Sequence, residues 1–132
     1  MKRTFTVVAI FFACLAWDLQ VSADSRDQAI EELSRTIQGN PTNSKAYYSR
    51  GFNYFARDEY DKAISDYDQA IKLNPYSVDS YSNRGLAYSK KGWLDQAVSD
   101  YNKAIELNPN YSIAHSNRGL AWAQKGETDK AV

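Results

Sequence analysis

Residues 81–109 read YSNRGLAYSKKGWLDQAVSDYNKAIELNP, and residues 47–75 read YYSRGFNYFARDEYDKAISDYDQAIKLNP. Laid over one another without a gap, Ser44–Ser77 and Val78–Tyr111 agree at 14 of 34 positions, among them Tyr47/Tyr81, Arg50/Arg84, Gly51/Gly85, Tyr54/Tyr88, Ala63/Ala97, Tyr67/Tyr101, Ala70/Ala104 and Pro75/Pro109. A fixed period of this length is the signature of a repeat architecture. A third copy starts at Ser112 and keeps SNRGLA at 116–121. Within each unit the apolar positions fall three and four apart, first at Tyr47, Tyr54 and Phe55, then at Ala63, Ile64, Tyr67, Ala70 and Ile71, which is helical spacing. Asn74-Pro75 and Asn108-Pro109 interrupt it, because the residue before proline avoids the helical region and proline lacks a donor. Gly92 and Gly126 mark turns between paired helices. Asp61, Asp95 and Asp129 then fall in the first turn of each second helix, where the dipole favours an anion. Each unit is expected to be a helical hairpin.

This pattern resembles the tetratricopeptide repeat family, whose motif sets an aromatic, a glycine, a tyrosine, an alanine, an aromatic, an alanine and a proline at fixed offsets. Tyr47, Gly51, Tyr54, Ala63, Tyr67, Ala70 and Pro75 meet it, and Tyr81, Gly85, Tyr88, Ala97, Tyr101, Ala104 and Pro109 meet it again. The resemblance implies an all-α fold, a right-handed α-solenoid of helix-turn-helix hairpins. It divides the chain into residues 44–77 (repeat 1), 78–111 (repeat 2) and 112–132 (an incomplete repeat 3), preceded by a half repeat over 24–41. In that half repeat Ala29, Leu33 and Pro41 occupy second-helix positions, while Trp17 and Gln20 fail the first-helix ones, so a lone helix over about Ser25–Gln38 is expected. Where the family has a large apolar residue before the glycine, this chain has Arg50, Arg84 and Arg118. Each arginine is expected to lay its stem on the core and to pair with an aspartate of the second helix, Asp66 or Asp100.

The first 23 residues are of another kind. Lys2 and Arg3 precede an uncharged, largely apolar run from Thr4 to Trp17, and Val21-Ser22-Ala23 offers small residues at a cleavage point. They read as a secretory signal cut after Ala23, too short in its apolar part for the roughly 20 residues that span a bilayer. Membrane contact is then confined to an uncleaved signal. The one cysteine, Cys14, sits in this segment, so a chain cut after Ala23 has neither disulfides nor thiolate-held metal. The wording NRGLAY resembles bacterial members, which implies the periplasm. In a eukaryote the same signal implies secretion, with Asn110-Tyr111-Ser112 as a glycosylation acceptor.

Sixteen basic and 16 acidic residues cancel among 132, leaving no positive surplus for nucleic acid. No nucleophile pairs with a second base and no histidine cluster can hold zinc, so neither an enzyme nor a cofactor is expected. His115, the sole histidine, takes the register position of Tyr47 and Tyr81 and is expected to pack in the core. Trp93 stands in a turn, either as a contact anchor or folded back on its own hairpin.

Stacked hairpins curve, and the resemblance implies that first helices line the concave side. The expected groove holds Lys45, Tyr48, Ser49, Phe52 and Phe55 from repeat 1, and Asp79, Ser82, Asn83, Leu86 and Lys90 from repeat 2. Repeat 3 adds Ile113, Ser116, Asn117, Leu120 and Gln124. Asn83 and Asn117, one period apart, resemble the asparagine ladder of the protein N-acetylglucosamine transferase, where amides grip an extended peptide backbone; otherwise they face water. The charged clamp of chaperone-tail binders is not met: Tyr48 and Phe52 stand where the resemblance implies its lysine and asparagine, Ile113 and Asn117 where it implies the third unit's cations, and only Asn83 fits. The expected function is a scaffold binding a protein or peptide partner, with Lys45, Tyr48, Phe52, Asn83, Leu86, Asn117 and Leu120 as contacts. The alternative is a structural subunit that forms homo-oligomers through its incomplete last repeat.

Overall fold

The computed structural model describes the backbone of residues 4–131 and the side chains of residues 16, 17 and 19–130. Lys2, Arg3, Val132 and the side chain of Cys14 lie outside the described residues. Six helices follow one another: α1 (Thr4–Gly39), α2 (Ser44–Phe55), α3 (Tyr60–Leu73), α4 (Val78–Lys90), α5 (Leu94–Leu107) and α6 (Ser112–Ala131). There is no strand among the described residues, and no helix there is long and apolar enough to cross a membrane.

The boundaries follow from local chemistry. Asn43 and Ser77 cap α2 and α4, their side chains accepting from the backbone N–H groups of Ala46 and Ser80. Asn74 and Asn108 end α3 and α5 in extended conformations, as the prolines after them require. The turns inside the two complete hairpins need one residue in the left-handed region, supplied by Asp58 at φ 59° and by Gly92, one period later, at φ 78°.

The hairpins are all-α solenoid units, packed α2 on α3 and α4 on α5, with α3 on α4 and α5 on α6 joining them and α1 lying on α2. The core repeats with the sequence: Ala63, Tyr67 and Ala70 are buried in the first hairpin, Ala97, Tyr101 and Ala104 in the second. Gly51 and Gly85 permit the approach. A Cβ on either would stand 3.0 or 2.9 Å from the ring of Tyr67 or Tyr101 and 3.2 Å from the carbonyl oxygen of Ala63 or Ala97. The hydroxyl of Tyr101 reaches Ser89 Oγ at 3.4 Å, whereas Phe55 fills the equivalent place in the first hairpin and the buried Tyr67 hydroxyl has no partner among the described residues.

Two polar ladders tie the hairpins together. Arg50 Nε and Nη2 donate to Asp66 at 2.8 and 2.7 Å, and Arg84 does the same to Asp100 at 2.8 and 2.7 Å. The third arm reaches the preceding unit: Arg50 Nη1 to Ser34 at 3.1 Å, Arg84 Nη1 to Asp68 at 2.7 Å, Arg118 Nη1 to Asn102 at 2.8 Å. A second ladder joins Asp27 to Arg57, Asp61 to Lys91 and Asp95 to Lys125. Both include α1, whose Asp27 and Ser34 take the places of Asp61 and Asp68.

Three expectations are corrected. The helix expected over Ser25–Gln38 is the end of a longer one, so Ala23 lies within α1. Gly126 makes no turn: α6 runs through it to Ala131, leaving Asp129 inside α6 and not at the start of a second helix. A returning helix draws its stability from the face it buries. Glu127–Lys130 are exposed, and the helix simply propagates through them. For the same reason His115 is exposed, its Nε2 2.8 Å from the carbonyl oxygen of Pro109, where Tyr47 and Tyr81 are partly covered by their second helices.

Candidate partner-binding groove

The first helices approach one another directly, α2 with α4 and α4 with α6, whereas α3 and α5 touch only first helices. Elements that meet along one side of a stack and diverge along the other define an inner and an outer curve, so α2, α4 and α6 line the concave surface.

On that surface α2 and α4 are bridged at one point. Asn83 Nδ2 donates to the Tyr48 hydroxyl at 2.9 Å. Half burial and the nearby Asp79 carboxylate push the Tyr48 hydroxyl above its ordinary pKa, the Asn83 contact opposing them, so it stays protonated and able to donate. Asp79 accepts in turn from the Tyr111 hydroxyl at 2.7 Å. Burial and this bond to a carboxylate push Tyr111 up to about 12. A cleft of about 340 Å³ opens here, with Lys45, Tyr48, Ser49 and Asp79 on its walls. Tyr48, Ser49, Phe52 and Asn53 border a second cleft beside it.

The expected contact residues therefore fall in two groups. Lys45, Tyr48, Phe52 and Asn83 gather around these clefts: Lys45 is exposed, Phe52 is 53% exposed, and Tyr48 and Asn83 are half-buried. Leu86 is half-buried farther along α4. Asn117 and Leu120 lie one unit on, in α6; Asn117 is half-buried with no side-chain hydrogen bond among the described residues, and Leu120 is 64% exposed. Asn83 does not simply face water, since Tyr48 holds one of its donors, but its amide oxygen has no partner among the described residues. Ser82, expected in the groove, is buried, because α4 packs against α2, α3, α5 and α6.

Tyr111 is the groove residue that sequence reasoning missed. Its register position is that of the capping residues Asn43 and Ser77, and a tyrosine cannot cap. A cap position given to an aromatic was the available signal that the side chain reaches elsewhere. Trp93 folds back on its own hairpin, stacked on Tyr88 with centroids 5.9 Å apart and with Lys91 Nζ 3.9 Å from its ring centroid. Among the described residues no group of histidine, cysteine and carboxylate side chains is placed to hold a metal.

Residues 51–92 match a family model described as TPR repeat, and residues 78–111 match one described as Tetratricopeptide repeat. Among solved structures, a crystal structure of MamA is 36% identical, with a TM-score of 0.75, over 80% of this chain and 62% of that one. The chain thus spans less than two thirds of MamA's length. The first TPR of Spaghetti (RPAP3) bound to the HSP90 peptide SRMEEVD is 26% identical, with a TM-score of 0.76, over 83% of this chain and 86% of that one. The second TPR domain of human RPAP3 in complex with the HSP70 peptide SGPTIEEVD is 25% identical, with a TM-score of 0.72, over 76% and 84%. No curated protein matches the chain in sequence.

Proposed function

We propose that this chain, which carries tetratricopeptide repeats, is a protein–protein interaction scaffold and that it holds an extended peptide along the groove of α2, α4 and α6. The single observation that carries the reading is the Tyr48–Asn83 bridge at the centre of that groove, flanked by Lys45 and Asp79 on one side and the exposed Phe52 on the other. The bridge fixes the amide so that its free oxygen accepts a backbone N–H from the peptide, and a fixed amide loses less entropy on binding than a free one. Asn117, one period along, offers a second amide to the same strand. Phe52 and Leu120 supply apolar anchors, so the preferred peptide carries apolar or aromatic side chains between its amide contacts. A peptide with an acidic tail, as in the RPAP3 complexes, is not favoured, since the expected clamp cations are replaced here by Tyr48, Ile113 and Asn117. The reading assigns the chain no catalytic role and no cofactor.

Peptides selected from a displayed random library on the full chain test this. Calorimetry with the chain carrying both Asn83→Ala and Asn117→Ala is expected to weaken the selected peptides by about tenfold or more, roughly one charge-neutral hydrogen bond per amide. Selected peptides that bind this variant and Phe52→Ala as tightly as the parent chain would remove the groove from the account.

Export is part of the proposal, supported by Lys2 and Arg3 ahead of the apolar run and by Val21-Ser22-Ala23. Terminal sequencing of the exported form is expected to read from Asp24, and an intact Met1 in that fraction would count against it.

A further inference from the structure

The second residue of the first helix is charged in both complete repeats, and the two signs are opposite. Lys45 in α2 and Asp79 in α4 stand one period apart, so one structural position holds a cation in the first unit and an anion in the next. Both are exposed on the walls of the cleft of about 340 Å³. Neither takes part in the two ladders, and neither has an ion pair among the described residues. Asp79 makes one bond, accepting at Oδ1 from the Tyr111 hydroxyl. Tyr111 thereby steadies the carboxylate and leaves Oδ2 without a partner among the described residues.

One helical turn farther along both helices lies the Tyr48–Asn83 bridge. Tyr48 accepts there from Asn83 Nδ2, so its own hydroxyl hydrogen has no acceptor among the described residues, just as the Asn83 amide oxygen has no donor. A donor and an acceptor side by side match the C=O and the N–H of one residue in an extended peptide, which point to the same edge of the strand. That grip is the same for every peptide sequence. The charges beside it discriminate, and their separation has a natural measure: packed helices lie about 8–10 Å apart, which is about three residues of extended chain.

We propose that Lys45 and Asp79 read the charge of the bound peptide, Lys45 taking an acidic side chain and the second oxygen of Asp79 a basic one about three residues away. The inference rests on the groove reading above and adds to it the class of peptide that fits: one carrying both charges in a fixed order around its backbone contact with Tyr48 and Asn83. Opposite signs also make the site directional. A peptide laid in reverse brings like charge to like charge at both positions, so the pair that selects the side chains sets which way the chain runs along the groove. Tyr111 is then a positioning residue, acting on the peptide through Asp79. All of these groups lie between residues 45 and 111, within the two complete repeats.

Selection of displayed random peptides on two full chains tests it, one the parent and one carrying both Lys45→Glu and Asp79→Lys. The parent is expected to enrich an acidic and a basic residue in one order, and the doubly reversed chain to enrich them in the opposite order. By calorimetry at low salt, a peptide selected on the parent is expected to bind the doubly reversed chain about tenfold more weakly, as two exposed attractions become repulsions. The same peptide with its two charges exchanged is expected to recover that affinity, and the gap to narrow in about 0.5 M salt. Asp79→Lys takes the acceptor from Tyr111, so helicity is checked; Lys45→Glu alone breaks no bond within the chain and is expected to weaken the parent's peptide about threefold. Peptides that lose affinity on Asn83→Ala with Asn117→Ala, yet show no charge preference or the same charge order on both chains, overturn this inference and leave the groove standing. Peptides indifferent to those amides and to Phe52→Ala overturn the groove reading and this inference with it.

Discussion

At Arg84 three carboxylate oxygens converge on one guanidinium, two from Asp100 and one from Asp68, while the rings of Tyr81 and Tyr88 flank it with their centroids 5.7 and 5.9 Å from its central carbon. Asp100 is only 5% exposed. Removing the arginine strands that carboxylate, and Arg84→Leu is expected to destabilise the chain by about 3 kcal/mol at neutral pH. The loss has a pH signature. Burial raises the Asp100 carboxyl above its ordinary pKa and the Arg84 donors pull it back, so without Arg84 the group rises further. A carboxyl whose folded pKa exceeds its unfolded one favours the fold when protonated, so the deficit of the variant is expected to shrink as pH falls from about 7 to about 4. Urea titrations of both chains at the two ends of that range check it, and a deficit independent of pH would assign the loss to the arginine stem. The pairing of Arg84 with Asp100 was legible because both residues repeat at the same offset. The backward arms were not, since Ser34, Asp68 and Asn102 are three different side chains at one structural position.

Helices α2 to α5 were legible for a related reason. Their apolar spacing, caps and prolines act locally, and each local preference agrees with the packing. The course of α6 through Gly126 was not, because a glycine permits a turn without requiring one. The same contrast separates the glycines one period apart. Gly85→Ala forces a methyl against the Tyr101 ring and the Ala97 carbonyl and is expected to cost about 2 kcal/mol. Gly119→Ala meets nothing and removes a flexible residue from a helix, so it is expected to raise stability by about 0.5–1 kcal/mol. Thermal melts of the two variants at low concentration check the signs. Equal losses would mean that Gly119 is also pressed by a neighbour.

For the molecule as a whole, stability in a stack of this kind is a sum of unit and interface contributions. Helices α2, α3, α4 and α5 have neighbours on both sides, whereas α1 and α6 lie at the ends. Amide hydrogen exchange is expected to be slowest in α2 to α5 and to quicken toward the start of α1 and the end of α6, and uniform protection would mean that the stack opens all at once. That α2 and α4 each leave one face uncovered was legible at this scale, because a helix that buries one face in the stack must present the other. The Tyr111–Asp79 contact was not, being made by a residue outside any helix. Gly126 finally bears on what a neighbour would have to do. A glycine inside a helix carries a standing penalty of up to about 1 kcal/mol relative to alanine, set by its backbone freedom alone. Its equivalents Asp58 and Gly92 sit at the elbows of their hairpins, so the end of α6 is already biased toward bending, and a surface that captured residues 127–130 would have little resistance to overcome.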